Sequence, residues 1–114
     1  MADKRRDKRR EIRDEIDRRE VLDLAKEAIS SIRNVSYGEP QDDFACTSEL
    51  WESYLARTMQ VRGRLTVRPY DVPVMMVLLK ISRLAQTPGD ADHWVDMAGY
   101  AAIGAECAMR ECCE

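Results

Sequence analysis

The sequence predicts an all-α fold: a compact bundle of about four core helices with a charged N-terminal helical extension. Apolar residues recur at helical spacing between Leu22 and Met109. Clusters containing glycine and proline separate these segments, and no segment carries the signature of a β-hairpin. The 114 residues have the length of one domain. We divide them into a charged arm, residues 1–20, and a single helical domain, residues 21–114.

The arm is the most highly charged part of the chain. Residues 3–20 carry nine Lys or Arg and seven Asp or Glu, and Ile12 and Ile16 are their only apolar members. Opposite charges recur three and four residues apart, which is typical of a solvated helix. The basic run at residues 4–10 leaves a contact with nucleic acid or with another chain as an alternative. The net charge of −3 argues against nucleic-acid binding by the rest of the surface.

Two helices are predicted before the most apolar stretch. An apolar stripe predicts the first over residues 22–33, and Gly38 and Pro40 then break the pattern, with Glu39 forced into an extended conformation. A second helix is expected from residues 41–44 to about residue 57. Its predicted core face consists of Phe44, Leu50, Trp51, Tyr54 and Leu55. We interpret residues 58–70 as a loop.

Residues 71–86 form the predicted central helix, which is apolar on most of its circumference. Such a helix is buried on several sides, and it is too short to span a membrane. Asp71 is the predicted N-cap, and Pro73 is tolerated in the first turn. Lys80 and Arg83 interrupt the apolar run. A lysine in this setting needs an acidic partner or a ligand, because an unpaired buried charge is very costly.

The last helix is expected after Thr87-Pro88-Gly89, with Asp90 or Asp92 as its cap. Its predicted core stripe is Trp94, Ala98, Ala101 and Ala105. Gly99 and Gly104 each cost about 1 kcal/mol relative to alanine in a helix interior. Small side chains at these positions allow another helix to approach closely, so we expect a homo-oligomer, a dimer or a higher form.

Four carboxylates are candidate ligands of a magnesium ion. Asp92 and Asp96 are four residues apart and share one helix face, and magnesium prefers oxygen ligands. Glu49 and Glu52 complete the cluster if they face inward. In the structural alternative, Asp92 caps the helix, Asp96 pairs with Lys80 or Arg83, and the two glutamates are solvated. For Lys80 itself, Asp96 is the nearest candidate partner by pattern.

Phosphate binding would depend on charged side chains. No glycine-rich phosphate loop is present, so a phosphate would be held by Lys80, Arg83, a metal or a helix N-terminus. Aromatic side chains are candidates for stacking on a base, with core packing as the alternative: Tyr37, Trp51, Tyr54, Trp94 and Tyr100. No catalytic residue is identified.

The cysteines favour a reducing compartment. The four cysteines form no CxxC pair, and the chain has a single histidine, so a structural zinc site is not expected. No apolar segment of the kind found in a secretory leader follows the charged start. We therefore expect a cytoplasmic protein with free thiols and no membrane association.

Three stretches together resemble a known family. They are Tyr37-Gly38-Glu39-Pro40 with Phe44 and Trp51, residues 71–84, and residues 92–100 with Glu106. Over about residues 22–107 they resemble a family of unknown function, DUF6378, found in bacteriophages and prophages. The last stretch is also similar to the final metal-binding helix of the all-α MazG-like nucleotide pyrophosphohydrolases and to a phage nucleotide-modification-associated domain.

The MazG-like resemblance implies a helical bundle that binds magnesium and a nucleotide, often completed by a second subunit. In those enzymes an EExxE motif and an ExxD motif hold the metal, and a metal-bound water attacks a phosphate. Asp96 matches the last position of ExxD, but residue 93 is His, and Glu49 and Glu52 supply only ExxE. These departures favour nucleotide binding over catalysis.

Three functions follow in the cytoplasm of a bacterial host. The first is magnesium-dependent hydrolysis of a nucleoside triphosphate. The second is binding without catalysis, an anti-defence role in which the protein sequesters a host signalling nucleotide. The third is an oligomeric structural or interaction module.

Overall fold

The computed structural model of the protein describes residues 16–30 and 38–113, with side chains described as far as residue 111. These ranges contain four helices and no strand: α1 Arg18–Ala28, α2 Pro40–Arg62, α3 Asp71–Gln86 and α4 Ala91–Cys113. The all-α prediction is therefore confirmed. No helix within these ranges combines the length and the apolar character that crossing a membrane requires. The chain divides into two compact units, Met1–Arg33 and Asn34–Glu114.

In the first unit, α1 begins at a side-chain cap. The Asp17 carboxylate accepts hydrogen bonds from the backbone N–H groups of Arg19, at 2.8 Å, and Glu20, at 3.0 Å. This cap starts the helix four residues before the predicted start at residue 22. Every side chain of residues 17–30 is exposed, including the apolar Leu22 and Ile29. Residues 1–15 of the predicted arm and the predicted helix end near Arg33 lie outside the described ranges.

The second unit starts with α2, whose two ends are set by backbone conformation. Gly38 has a φ of 77°, and Glu39 is extended immediately before Pro40, as predicted. At the other end Gly63 adopts a left-handed φ of 77° and donates a hydrogen bond to the Met59 carbonyl at 2.8 Å. The prediction of a loop from residue 58 is wrong for residues 58–62. The helix continues to the first glycine that takes up the left-handed conformation of a C-terminal cap.

The central position predicted for α3 is confirmed, because it packs against both α2 and α4. Side chains fix its antiparallel register with α2. The Ser82 hydroxyl donates to Asp43 Oδ1 at 2.7 Å, and Trp51 Nε1 donates to the Met75 carbonyl at 2.7 Å. Contacts far apart along both helices therefore agree on a single alignment.

The close approach of α3 and α4 depends on Gly104. A Cβ atom placed on Gly104 would lie 3.2 Å from Cγ of Pro73, which is tighter than ordinary van der Waals contact. The close helix approach expected at Gly104 thus occurs within the chain. Gly99 is exposed, with nothing within 4 Å of such a Cβ.

The predicted core face of α2 is wrong only at Phe44, which is 57% exposed, because its other members Leu50, Trp51, Tyr54 and Leu55 are half-buried. The predicted core stripe of α4 is wrong, because Trp94, Ala98, Ala101 and Ala105 lie on its exposed side. The side that α4 turns inward carries instead His93, Asp96, Met97, Tyr100, Gly104, Cys107 and Ala108. Because α4 has apolar or small residues on nearly all sides, its spacing alone does not select the side that packs.

The most deeply buried side chains of the second unit are polar. Asp43, Thr47, Thr58, Asp71, Ser82 and His93 are buried, whereas Pro73 is the only apolar side chain that is buried among residues 38–111. Large apolar side chains are instead exposed, and in this unit they are Phe44, Met59, Val61, Leu65, Val67, Val72, Ile81, Trp94, Val95, Ile103 and Met109. Polar contacts therefore hold the helices together, and much apolar surface faces outward.

Candidate functional site

The first residue of α3, Asp71, is the centre of a saturated ion-pair cluster. Its side chain is fully buried, and Arg62 clamps both carboxylate oxygens, at 2.7 and 2.9 Å. The Tyr54 hydroxyl and the backbone N–H of Arg68, at 2.6 Å, donate to the same carboxylate. The Arg62 guanidinium also lies 5.4 Å from the centroid of the Tyr70 ring. All acceptor directions of the carboxylate are used within the chain, so this cluster is structural.

The cluster shifts the pKa values of its members. Hydrogen bonding from Arg62 holds the pKa of Asp71 at about 2, although burial opposes this shift. Burial raises the pKa of the Tyr54 hydroxyl to about 12, and its hydrogen bond to Asp71 adds to the shift. The prediction that Asp71 caps α3 is wrong, because Tyr70 occupies the cap position without a side-chain cap. The Asp71 carboxylate faces Arg62 instead of the N–H groups of α3.

A second polar cluster joins the far end of α3 to the start of α2. Besides the bond from Ser82, the buried Asp43 carboxylate accepts a hydrogen bond from Arg83 Nε at 3.2 Å. Arg83, a predicted phosphate ligand, is thus engaged in a helix-to-helix ion pair. Asp43 was not predicted, because it lies 39 residues from Ser82 and no local pattern connects them.

Lys80 has the acidic partner that its position requires. Its ammonium lies 2.7 Å from Asp96 Oδ2 on α4, and the predicted pairing of these two residues is confirmed. The Lys80 side chain is 11% exposed, while that of Asp96 is 45% exposed. The pair therefore opens to solvent on the Asp96 side.

Near the start of α4, a buried histidine contacts the preceding loop. His93 is 2% exposed, and its Nε2 lies 2.9 Å from Thr87 Oγ1 and 3.7 Å from Asp90 Oδ2. Asp90 Oδ1 accepts the backbone N–H of Asp92 at 3.0 Å, so Asp90 is the residue that caps α4. The burial of His93 was not predicted, because the packed side of α4 was assigned wrongly.

The four predicted magnesium ligands do not converge. Glu49, Glu52 and Asp92 are exposed, and Asp96 is paired with Lys80. Across the part of the chain that the structure describes, no three acidic, histidine or cysteine side chains group in a way that could hold a metal ion. These carboxylates do not fit a shared magnesium site within this chain.

The predicted base-stacking residues have separate surroundings. Trp51 is half-buried and bonded to the backbone of α3. Trp94 is 56% exposed, with Nε1 donating to the Pro88 carbonyl at 2.9 Å. Tyr100 is half-buried on α4, and Tyr37 lies outside the described ranges.

An apolar groove lies between α3 and α4, with a volume of about 410 Å³. We call it the α3–α4 groove. Its α3 side is lined by Tyr70, Pro73, Val74 and Val77, and its α4 side by Tyr100, Ala101, Gly104, Ala105 and Ala108. No charged side chain lines it, so it suits an apolar or aromatic group better than a phosphate.

These features define an all-α chain whose most deeply buried side chains are mainly polar and which exposes several large apolar side chains. The chain belongs to the family described as Domain of unknown function (DUF6378), which matches residues 20–108. It is 36% identical over 83 residues to the Gene 55 protein of Mycobacterium phage L5, covering 73% of this chain and 49% of that protein. The Gene 55 protein of Mycobacterium phage D29 is 33% identical over 81 residues, covering 71% and 48%.

The comparisons place the chain in a phage protein family of unknown function. It spans about half the length of both curated relatives. No solved structure matches it significantly. The resemblance to MazG-like enzymes stays a prediction.

Proposed function

We propose that this phage protein is a self-associating helical interaction module. The observation that carries the proposal is the unusual burial pattern of residues 38–111, where eleven large apolar side chains are exposed and Pro73 is the only apolar side chain that is buried. If each exposes roughly 100 Å², about half the area of an aromatic side chain, they present on the order of 1,000 Å². A stable interface needs roughly 800 Å² from each partner.

The polar clusters support this proposal because they join the helices without using the exposed apolar residues. Those residues stay available for contact with a second copy. Ion pairs and hydrogen bonds at Asp43, Asp71 and Lys80 connect α3 to its two neighbours. Burying exposed apolar surface contributes roughly 25 cal/mol per Å² before the costs of association. Self-association would therefore add hydrophobic stabilisation to that gained within the chain.

Sedimentation velocity over a range of protein concentrations tests the proposal. We expect a dimer or higher oligomer at micromolar concentration. The apparent melting temperature should rise with concentration, because association stabilises the folded state by mass action. A 13.1 kDa species that persists to high concentration, with an unchanged melting temperature, would contradict self-association.

Nucleotide binding is a second candidate, and the solvent-facing side of the Lys80–Asp96 pair favours it. A phosphate that displaced Asp96 would keep the Lys80 ammonium paired while Asp96 moved into water. The protein would then sequester a nucleotide, such as a host signalling nucleotide, in the cytoplasm of the infected cell. This candidate needs no hydrolysis and no magnesium.

Isothermal titration with ATP, with and without magnesium, tests the second candidate. Lys80→Met combined with Asp96→Leu should fold but lose binding if Lys80 holds a phosphate. The control is Glu106→Gln with Arg110→Gln, which removes an exposed ion pair of α4. Equal binding by both double variants would exclude Lys80 as the phosphate ligand. Turnover to a monophosphate and pyrophosphate would support the hydrolase instead.

A further inference from the structure

The exposed face of α4 carries a regular seam. Six exposed residues alternate in spacing by four and three, as do the core positions of a coiled coil: Ala91, Val95, Ala98, Ala102, Ala105 and Met109. We call them the α4 seam. It differs from the stripe suggested by the sequence, because α3 covers Gly104 and leaves Ala102 and Met109 outside.

We propose that α4 of a second copy packs antiparallel along the α4 seam and places its Trp94 in the α3–α4 groove. This inference rests on the self-association proposed above and assigns its geometry. Each copy would supply both the tryptophan and the groove, so the contact closes as a two-fold dimer.

The sizes of the seam residues favour the antiparallel arrangement. When the two antiparallel α4 helices are level at residue 100, Met109 lies against Ala91 of the second copy and Val95 lies against Ala105 of the second copy. Each of these layers combines a large side chain with a small one. A parallel arrangement would stack Met109 on Met109 and Val95 on Val95, with only alanines between them, and would need an uneven helix separation. Antiparallel helix dipoles add a small favourable contribution.

The same register aligns Trp94 with the α3–α4 groove. Trp94 of one copy comes level with about residue 106 of the other, where Ala105 and Ala108 form the wall of the groove. Trp94 flanks the seam on the side of the α3–α4 groove. Flanking positions on the same side of two antiparallel helices face each other, so Trp94 of one copy faces the groove of the other. Its Nε1 already donates to the Pro88 carbonyl. Burying the ring therefore leaves no donor unpaired.

Charge on the opposite flank is compatible with this pairing. Glu106 and Arg110 form an exposed ion pair at 2.7 Å, and Asp92 of the second copy comes to the same level. Arg110 can then lie near one acidic residue from each copy, which offsets part of the repulsion between the two carboxylates. No other charged side chain among the described residues of α4 lies between Trp94 and Met109 on this face.

Trp94→Ala is the first test, measured by sedimentation equilibrium. Because buried tryptophans are frequent hot spots that contribute 2 kcal/mol or more, we expect the dimer dissociation constant to rise about 30-fold or more. Leu22→Ala is the matched control, since Leu22 is also an exposed apolar residue but lies on α1, outside the residues 38–111 that carry the proposed surface. It should change the dissociation constant less than threefold.

Disulfide trapping tests the register. Ala98→Cys and Ala102→Cys are prepared separately, with the four native cysteines replaced by serine, and circular dichroism checks the folding of each variant. Under oxidation, a mixture of the two should form the 98–102 disulfide faster than either protein forms its own. Faster 98–98 and 102–102 linkage would overturn the antiparallel register.

The outcomes separate this inference from the proposed function. An oligomer that is insensitive to Trp94→Ala and forms no preferred 98–102 disulfide overturns the Trp94 contact but leaves self-association standing. A monomer at all concentrations overturns both. Weakening by Trp94→Ala together with preferred mixed linkage supports both.

Discussion

Replacing Asp71 by asparagine should change both the stability of the protein and its dependence on pH. The pKa of Asp71 falls from 3.8 to about 2 on folding, mainly through the hydrogen bonds from Arg62. A difference of nearly two pH units corresponds to at most about 2.5 kcal/mol at neutral pH. Because the Arg62 side chain is 19% exposed, solvent screening reduces the expected loss to roughly 1–2 kcal/mol.

The direction of the pH dependence of stability follows from the lowered pKa of Asp71. A carboxylate with a lowered pKa in the folded state contributes stability above its unfolded pKa, and this contribution disappears as the pH falls through the folded value. Asp71→Asn should therefore be less stable than the natural protein at pH 7, and the gap should close between pH 4 and pH 2.

Urea unfolding at one fixed protein concentration, repeated from pH 7 down to the lowest pH at which both proteins are folded, measures this gap. Asp23→Asn is the control, since Asp23 is exposed in α1 and should change stability by less than about 0.5 kcal/mol. Equal stabilities at pH 7, or a gap that keeps its size on acidification, would refute the argument.

Four further perturbations have defined outcomes. Tyr54→Phe should remove the tyrosinate absorbance that develops near pH 12, and the stability supplied by the neutral phenol should persist below pH 10 and be lost as the pH rises through 12. Asp96→Leu alone should lower the melting temperature more than Lys80→Met combined with Asp96→Leu, since the single substitution leaves the charge of Lys80, which is only 11% exposed, uncompensated. Gly63→Ala should cost about 1–2 kcal/mol in urea unfolding, because its φ of 77° is left-handed. Gly99→Ala, in an open helical position, should stabilise by up to about 1 kcal/mol. A destabilising Gly99→Ala would indicate a contact there.

The central helix could be predicted from the sequence because its signals are local. The apolar run, Pro73 in the first turn and the break at Thr87 delimit residues 71–86, and the structure gives the same range. The end of α2 was missed because residues 58–62 look like a loop until Gly63 is recognised as the C-terminal cap. The packed side of α4 could not be predicted, because Gly104 selects it by fitting against Pro73, a contact between segments 31 residues apart in the sequence.

In the candidate site, too, the contacts that a sequence pattern indicates could be predicted, and the other contacts between distant residues could not. Lys80 was matched with Asp96 because a lysine in an apolar helix requires an acid, and Asp96 lies on the neighbouring helix. The Asp43–Ser82 contact has no such signal, since aspartate and serine are ordinary surface residues in a sequence. The full buried surroundings of Asp71 likewise depend on Arg62, whose position follows from the unpredicted last turn of α2.

The antiparallel alignment of α2 and α3 restricts how the lengths of these helices can vary. Residues 43 and 54 of α2 bond to residues 82 and 71 of α3, so the intervals between the two contacts are equal on both helices. Inserting one residue into either interval would rotate one contact by about 100° relative to the other. An insertion would therefore separate a buried carboxylate from its partner. We expect length differences among related phage proteins to fall in the connection between α2 and α3 or beyond the two contacts, and not between residues 43 and 54 or between residues 71 and 82.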